Sequence, residues 1–115
     1  MYLRVVIVDD HARFRAQAAE LLQIERFAVV GDADTGAGGV ELSRRLAPDL
    51  VLLDVGLPDA SGFDLVADMH ATGAAVVLTS SRSFRDYGRR VADSGAEGFI
   101  TKGDLTGPAI RSLLR

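Results

Sequence analysis

The strongest constraint on this chain is a regular alternation of short apolar segments with longer segments of helical periodicity. Five apolar segments have the length of a strand, and they are Leu3–Val8, Phe27–Val30, Leu50–Leu53, Ala74–Thr79 and Gly98–Thr101. The longer segments repeat apolar residues every three to four positions, which is typical of helices with one buried face. Strands that are separated by helical crossovers pair in parallel and carry helices on both faces. The pattern therefore predicts a doubly wound α/β fold around a five-stranded parallel sheet.

Local signals predict where the remaining elements begin and end. Gly31 is expected to close the second strand, and Val55–Gly62 is expected to be a loop because it contains Gly56, Pro58 and Gly62. The first three predicted helices are about Ala12–Glu25, Ala37–Leu46 and Ser61–Thr72. The polar stretch Ser80–Ser83 is expected to open a fourth helix, with Phe84, Tyr87 and Val91 on one side. A last helix is expected to hold Ile110, Leu113 and Leu114. The second helix is expected to be easily deformed, because glycine has a low helix propensity and this segment contains Gly36, Gly38 and Gly39.

Composition narrows the class of protein. The 115 residues are 48% apolar and 25% charged, without a linker or a low-complexity segment, so one domain over 1–115 is predicted. A net charge of −3 disfavours direct nucleic-acid binding, and the absence of cysteine excludes disulfides and thiolate metal sites. The apolar runs are too short for a membrane span, and the first residues lack a signal-peptide profile. A cytoplasmic location is therefore expected.

Reactive side chains follow four of the five predicted strands. They are Asp9 and Asp10 after the first strand, Asp54 after the third, Thr79 at the end of the fourth and Lys102 after the fifth. The carboxyl ends of parallel strands share one edge of the sheet, which is where ligands bind in open α/β folds. We therefore expect three carboxylates, one hydroxyl and one ammonium to converge there.

Such a cluster of acids carries an electrostatic cost. Two carboxylates about 5 Å apart repel by roughly 3 kcal/mol at an effective dielectric constant of about 20. One lysine offsets part of this repulsion, so either the pKa values rise or a cation binds. Oxygen ligands without cysteine favour Mg²⁺. Mg²⁺, a lysine and a hydroxyl around one carboxylate can hold a phosphoryl group, and the carboxylate itself can be the nucleophile.

The lysine is unusual in this chain. Twelve of the thirteen basic residues are arginine, and Lys102 is the only lysine. A compact ammonium suits a phosphoryl oxygen next to carboxylates, whereas arginine would impose a wide planar fork. Lys102 is therefore interpreted as a functional residue.

Four motifs together resemble the receiver domain of bacterial two-component response regulators, over essentially the whole chain. They are VVIVDDH at Val5–His11, PDLVLLDVGLPDASG at Pro48–Gly62, VVLTSS at Val76–Ser81 and GFITKG at Gly98–Gly103. The first and last are most similar to the subfamily with helix-turn-helix output domains. The resemblance implies a flavodoxin-like strand order, 2-1-3-4-5.

The resemblance also implies roles for the residues at the sheet edge. Asp54 would accept a phosphoryl group from a phosphohistidine of a sensor histidine kinase. Mg²⁺ would be the cofactor, held directly by Asp10 and Asp54, mainly through water by Asp9, and by the backbone carbonyl of Gly56. Lys102 would contact the phosphoryl group.

Further implied roles concern the signal and its partners. Thr79 would move to hydrogen-bond the phosphoryl group, and Phe99 would change rotamer with it. The face formed by the fourth helix, the fifth strand and the fifth helix would then change its preference for an output domain, a downstream protein or a second copy of the chain. The family's proline after the lysine is Gly103 here, so no cis peptide is expected. The small residues Gly56 and Ser81 leave the phosphoryl lifetime open.

Several residues also have a plainer explanation. Asp9 and Asp10 alone would serve as a helix cap, Thr79 is an ordinary strand-end residue, and Phe99 fits core packing as well as a switch. His11 is interpreted as local packing, and His70 as unconnected with any site. The glycines at 36, 38 and 39 lack the spacing of a phosphate-binding loop. A solvated face explains the four arginines of the fourth helix better than docking of an acidic partner, and they are Arg82, Arg85, Arg89 and Arg90.

Two other functions remain open at this point. One is a small Mg²⁺-dependent phosphatase with an aspartyl nucleophile, although Gly56 stands where such an enzyme has a second acid. The other is an interaction module that does not use phosphorylation, although Asp9, Asp10, Asp54 and Lys102 are all present. The preferred interpretation is a signalling switch rather than an enzyme with a diffusible product.

Overall fold

The computed structural model describes residues 2–115. Its strands are β1 (Leu3–Val8), β2 (Phe27–Ala33), β3 (Leu50–Asp54), β4 (Ala75–Ser80) and β5 (Gly98–Thr101). Its helices are α1 (Ala12–Ile24), α2 (Gly36–Leu46), α3 (Gly62–His70), α4 (Arg89–Ser94) and α5 (Gly107–Leu113). Two short 3₁₀ turns lie at Phe84–Asp86 and Lys102–Asp104. Between residues 2 and 115, no helix is long and apolar enough to cross a membrane.

The five strands form one parallel sheet in the order β2-β1-β3-β4-β5, which confirms the expected fold. Side chains along β1 alternate between the two faces of the sheet. Val5 and Ile7 pack with α1 and α5 residues such as Leu22 and Ile110, whereas Val6 and Val8 pack with Val66 and Met69 of α3 on the opposite face. Because β1 and β3 are interior strands of the sheet, their carboxyl ends lie near the middle of its edge.

The predicted end of β2 at Gly31 is wrong, because the strand continues to Ala33. Val5 pairs with Val29 and Val6 pairs with Gly31, so the register shifts by one residue within the strand pair. A Cβ at Gly31 would lie 3.0 Å from Cδ2 of Leu42. This glycine therefore allows α2 to pack closely on β2, rather than ending the strand.

The predicted start of the fourth helix is also wrong. The segment after β4 forms a 3₁₀ turn, then passes through Gly88 at φ +51°, and α4 begins only at Arg89. A residue with positive φ cannot continue a right-handed α-helix, which explains the late start. As a result Phe84 is 53% exposed, while Val91 packs into the core. The other ends of helices and strands lie within two residues of the predicted ones.

The glycines of α2 have a packing role that the sequence pattern did not indicate. A Cβ at Gly39 would lie 2.6 Å from Cγ2 of Val8, and a Cβ at Gly36 would lie 2.6 Å from Cδ1 of Leu65. Both distances are too short for real side chains, so glycine lets α2 approach β1 and α3. α2 is a continuous helix over its eleven residues.

Candidate functional site

The predicted site residues lie together at the carboxyl edge of the sheet. Asp9 follows β1 and is fully buried, and Asp54 ends β3 with 4% of its surface exposed. Val8 pairs with Leu53 and Asp54 pairs with Thr79, so parallel pairing brings the ends of β1, β3 and β4 side by side. Lys102 approaches from the turn after β5.

Lys102 bridges two of the carboxylates. Its Nζ lies 2.7 Å from Oδ2 of Asp9 and 3.5 Å from Oδ2 of Asp54. The ammonium also lies 4.7 Å from the centre of the Phe14 ring, which is a cation–π distance. These three contacts fix the position of the only lysine of the chain in the middle of the acids.

His11 also belongs to this cluster, which the sequence interpretation missed. Its Nδ1 lies 3.0 Å from Oδ1 of Asp9 and 3.1 Å from Oδ1 of Asp10, and its backbone N–H donates to Oδ1 of Asp9 at 2.8 Å. Asp9, Asp10, His11 and Asp54 each offer one ligand atom, and these atoms lie within 4.8 Å of one another. The position of His11 directly after the two acids was the available signal.

The electrostatics of the cluster oppose ionisation of Asp54. Burial raises the pKa of Asp54, and the charge of Asp9 raises it further. Lys102 and the backbone N–H of Gly56, which donates to Oδ1 of Asp54 at 3.3 Å, act in the opposite direction but do not cancel the rise. A positive ligand at this carboxylate would therefore remove an unfavourable interaction that the protein alone leaves in place.

The oxygen atoms present fit a hard divalent cation. Three carboxylates converge without a sulfur ligand, a donor set that suits Mg²⁺. Oδ2 of Asp9 is buried, and the Lys102 ammonium at 2.7 Å is the cation that compensates its charge. A divalent cation bound at the three acids would compensate the charge that one lysine leaves over.

Thr79 presents an unpaired polar atom on the same edge. Its Oγ1 is buried without a hydrogen-bond partner, directly beside Asp54 in the sheet. An unpaired hydroxyl in a buried site is unfavourable, because it has lost its water and gained no acceptor. An anionic group bound at Asp54 would supply that acceptor.

Phe99 lies at the edge of an aromatic cluster. It is half-buried, with its ring 6.0 Å from that of Phe84 and 5.7 Å from that of Tyr87. The Tyr87 hydroxyl is in turn 2.7 Å from Oγ of Ser80, the residue after Thr79. This arrangement is compatible with both interpretations of Phe99, core packing and a rotamer change.

The loop after Asp54 is short and closed at its base. Gly56 and Ser61 form an isolated antiparallel bridge, and the Gly62 N–H donates to the Val55 carbonyl at 2.8 Å. A Cβ at Gly62 would lie 2.3 Å from the carbonyl oxygen of Asp54, so only glycine allows α3 to start there. No cis peptide occurs between residues 2 and 115, as expected for Lys102-Gly103.

In the described part of the chain, His70 and the four arginines make no hydrogen bond or ion pair with Asp9, Asp10, Asp54 or Lys102. His70 pairs with Oε1 of Glu97 at 2.8 Å near the start of β4, so it has a partner that the sequence did not predict. Burial acts to raise the pKa of Glu97, but hydrogen bonds from His70 and the Val76 N–H outweigh it and lower the pKa.

The side chains of Arg82, Arg85, Arg89 and Arg90 are all exposed, and Arg90 packs on the Phe63 ring at 4.5 Å.

Comparisons with known proteins agree with this architecture. The chain is 35% identical over 104 residues to the transcription regulator of virulence factors BvgA of Bordetella pertussis, which covers 89% of this chain and 50% of that protein. It is 36% identical over 100 residues to the transcriptional regulatory protein PdtaR of Mycobacterium tuberculosis, covering 86% of this chain and 49% of that protein. The chain thus spans about half the length of these curated relatives.

A solved structure and a family description extend the comparison. The signal receiver domain of the response regulator NarL from Mycobacterium tuberculosis superposes with a TM-score of 0.84 at 32% identity, covering 98% of this chain and 94% of that one. The family described as "Response regulator receiver domain" matches residues 5–107, which include every residue of the site described above. The chain therefore belongs to the response regulator receiver domain family.

Proposed function

We propose that this receiver domain accepts a phosphoryl group on Asp54 from the phosphohistidine of a sensor histidine kinase. The observation that carries the proposal is the position of Asp54 between two groups suited to a phosphoryl group. The Lys102 ammonium lies 3.5 Å from its Oδ2, and the unpaired Thr79 hydroxyl lies on the neighbouring strand. An ammonium and a hydroxyl donor on either side of a carboxylate can stabilise the oxygens of a transferred phosphoryl group.

Mg²⁺ is the cofactor that we assign to the acidic cluster. Asp10 and Asp54 would bind it directly, Asp9 mainly through water, and the backbone carbonyl of Gly56 would supply another oxygen. When bound, Mg²⁺ neutralises the charge that builds up on the phosphoryl oxygens during transfer. The exposure of Asp10 supports its direct contact with a hydrated cation, whereas Asp9 is buried and already paired with Lys102.

The chain's own residues account for the rest of the transfer. An ionised oxygen of Asp54 attacks the phosphorus, the bond from phosphorus to the imidazole nitrogen of the donor breaks, and the nitrogen keeps the electron pair. Lys102 shifts from Asp9 towards the new phosphoryl oxygens, and the Thr79 hydroxyl donates a hydrogen bond to one of them. The hydrogen bond from Thr79 gives its buried hydroxyl the partner that it lacks beforehand.

The output of the switch is a changed binding surface. Movement of Thr79 would release Phe99 to change rotamer and so alter the face formed by α4, β5 and α5. Phe84, which is 53% exposed on this face, offers an apolar contact for a partner. Relatives that are twice as long are named as transcription regulators, so we propose that residues 1–115 form one receiver domain that controls transcription through an output domain elsewhere. Phosphorylation would also favour a homodimer through the same face.

Phosphorylation by a small donor tests the proposal. The chain is incubated with Mg²⁺ and acetyl phosphate, and its intact mass is measured. We expect one added phosphoryl group that requires Mg²⁺, is absent in Asp54→Asn and is retained in Asp68→Asn, a matched change at an exposed acid of α3. An unchanged mass of the wild type would favour an interaction module that does not use phosphorylation. Rapid turnover of unrelated phosphoesters would favour a phosphatase.

A further inference from the structure

The N-terminus of α2 is capped by a residue from another part of the chain. Its first three backbone N–H groups have no acceptor within the helix. The Gly38 N–H donates to Oγ1 of Thr35 at 3.0 Å, which is an ordinary local cap. The other two donate to Asp59 in the loop after β3, from Gly36 to Oδ1 at 2.7 Å and from Ala37 to Oδ2 at 2.9 Å.

Asp59 lies at the tip of the loop that carries Gly56. The base of this loop is closed by the Gly56–Ser61 bridge. Within residues 2–115, the hydrogen bonds that join the tip, 57–60, to α2 are the two that Asp59 accepts. Both oxygens of the Asp59 carboxylate accept hydrogen bonds, so the orientation of the loop relative to α2 is fixed as well as its distance from α2.

The contact is close and charge-assisted. A Cβ at Gly36 would lie 3.2 Å from Oδ1 of Asp59 and 2.6 Å from Cδ1 of Leu65, so glycine is needed for this approach. The N–H groups of Ala37 and Gly36 lower the pKa of Asp59, and the carboxylate is therefore ionised at neutral pH. A negative charge at a helix N-terminus also interacts favourably with the helix dipole.

We propose that Asp59 is a positioning residue of the phosphorylation site, which it serves by anchoring the β3–α3 loop to α2. This inference rests on the proposed function, in which the Gly56 carbonyl binds Mg²⁺ beside Asp54. The Gly56 N–H already donates to Oδ1 of Asp54 at 3.3 Å, so the position of the loop affects the metal ligand and the phosphoacceptor together. α2 is itself held against β1 by the contact of Gly39 with Val8, next to Asp9. Asp59 therefore connects the two acid-bearing strand ends through α2.

The test separates positioning from simple helix stability. Asp59→Ala is compared with Thr35→Ala, which removes a cap of the same helix but no contact with the loop. For each variant, the initial rate of labelling by acetyl phosphate is measured over a range of Mg²⁺ concentrations, and Mg²⁺ binding is measured directly by calorimetry. Melting temperatures are recorded in parallel. Asp59→Asn, which keeps one acceptor oxygen, serves as the conservative variant.

We expect Asp59→Ala to weaken Mg²⁺ binding about tenfold, as is typical when a partner that orients a metal ligand is removed. The maximal rate at saturating Mg²⁺ should change much less. Asp59→Asn should lie between Asp59→Ala and the wild type, and Thr35→Ala should lower the melting temperature but change Mg²⁺ affinity less than about twofold.

Two results would overturn the inference while leaving the proposed function intact. One is an Asp59→Ala variant that binds Mg²⁺ like the wild type. The other is a Thr35→Ala variant that loses as much affinity as Asp59→Ala, which would reduce the effect to helix stability. Failure of the wild type itself to bind Mg²⁺ or to be labelled would instead contradict the proposed function.

Discussion

Lys102 and Asp9 form the closest ion pair of the candidate site, with Nζ 2.7 Å from Oδ2. The same ammonium is 3.5 Å from Asp54, the residue whose phosphorylation we propose. Before phosphoryl transfer, Lys102 therefore pairs mainly with Asp9, the buried acid that follows β1. A phosphoryl group at Asp54 would compete with Asp9 for the lysine, and this competition gives the site two distinct arrangements.

The geometry predicts that Lys102→Arg separates metal binding from the response to a phosphoryl group. The planar guanidinium cannot occupy the narrow space between Asp9 and Asp54 in the way an ammonium does. With Mg²⁺ and beryllium fluoride as a phosphoryl mimic, we expect the wild type to gain melting temperature beyond the gain from Mg²⁺ alone. In Lys102→Arg this additional gain should be lost. An exposed control, Arg89→Lys, should behave like the wild type, and retention of the gain by Lys102→Arg would argue against the role of the lysine.

Mg²⁺ should stabilise the folded protein by mass action. At a concentration tenfold above its dissociation constant, a ligand that binds only the folded state adds about 1.4 kcal/mol to the free energy of unfolding. We expect this gain in thermal melting of the wild type and of Asp68→Ala, and its loss in Asp10→Ala. A melting temperature that does not respond to millimolar Mg²⁺ would exclude the metal assignment.

Without divalent cations, Asp54→Asn should stabilise the protein at neutral pH. The folded state raises the pKa of Asp54, so the folded state favours its protonated form, and this favourable contribution is lost as the pH rises through the folded pKa. At pH 7 the ionised carboxylate therefore costs stability, so Asp54→Asn should raise the melting temperature of the metal-free protein. The advantage of the variant should shrink as the pH falls towards the unfolded pKa of about 3.9. An advantage that grows at acid pH would contradict this sign.

Thr79→Val should have opposite effects on the resting and the phosphoryl-bound protein. Valine has nearly the same shape and removes a buried hydroxyl that has no partner, so the free energy of unfolding should stay constant or rise by up to about 1 kcal/mol. The additional stabilisation by beryllium fluoride should fall, because the hydrogen bond from Oγ1 is lost. Urea unfolding with and without the mimic measures both effects. A clear loss of stability in the resting state would show that Oγ1 has a partner after all.

Gly39→Ala should destabilise the fold although alanine is the better helix former. The new Cβ would lie 2.6 Å and 2.7 Å from the two methyl groups of Val8, a buried β-branched residue that cannot move away. Overpacking of this kind costs about 1–3 kcal/mol, against a gain of about 1 kcal/mol in helix propensity. Adding Val8→Ala should recover part of the loss in a double-mutant cycle followed by urea unfolding. Strictly additive effects would rule out the contact.

The sheet and the convergence of its strand ends were predictable because they follow from periodicity and from the geometry of parallel strands. Asp9, Asp54 and Thr79 each end an apolar run, and any parallel pairing of those runs brings them together. The early end predicted for β2 and the early start predicted for α4 each depend on a glycine whose role is set by tertiary structure. Gly31 lies within a continuing strand and makes room for α2, whereas Gly88 has a positive φ that delays the start of α4.

Asp59 and the partner of His70 were not predictable for another reason. Asp59 accepts hydrogen bonds from residues 22 and 23 positions away, and His70 pairs with Glu97, 27 positions away. Neither pair has a periodic or motif signature, because tertiary packing alone brings the partners together. The contacts of His11 could have been predicted from the sequence, since His11 directly follows the two acids that it contacts.

The position of β5 at the end of the sheet order has a consequence for the newly synthesised protein. Lys102 follows the edge strand β5 and lies 91 positions after His11 in the chain, so it is synthesised after all the acids of the site. Until the edge strand docks beside β4, Asp9 and Asp54 face each other without their counter-charge. The charge balance of this edge is therefore complete only when β5 has docked, and a chain truncated before β5 would leave Asp9 and Asp54 without their lysine.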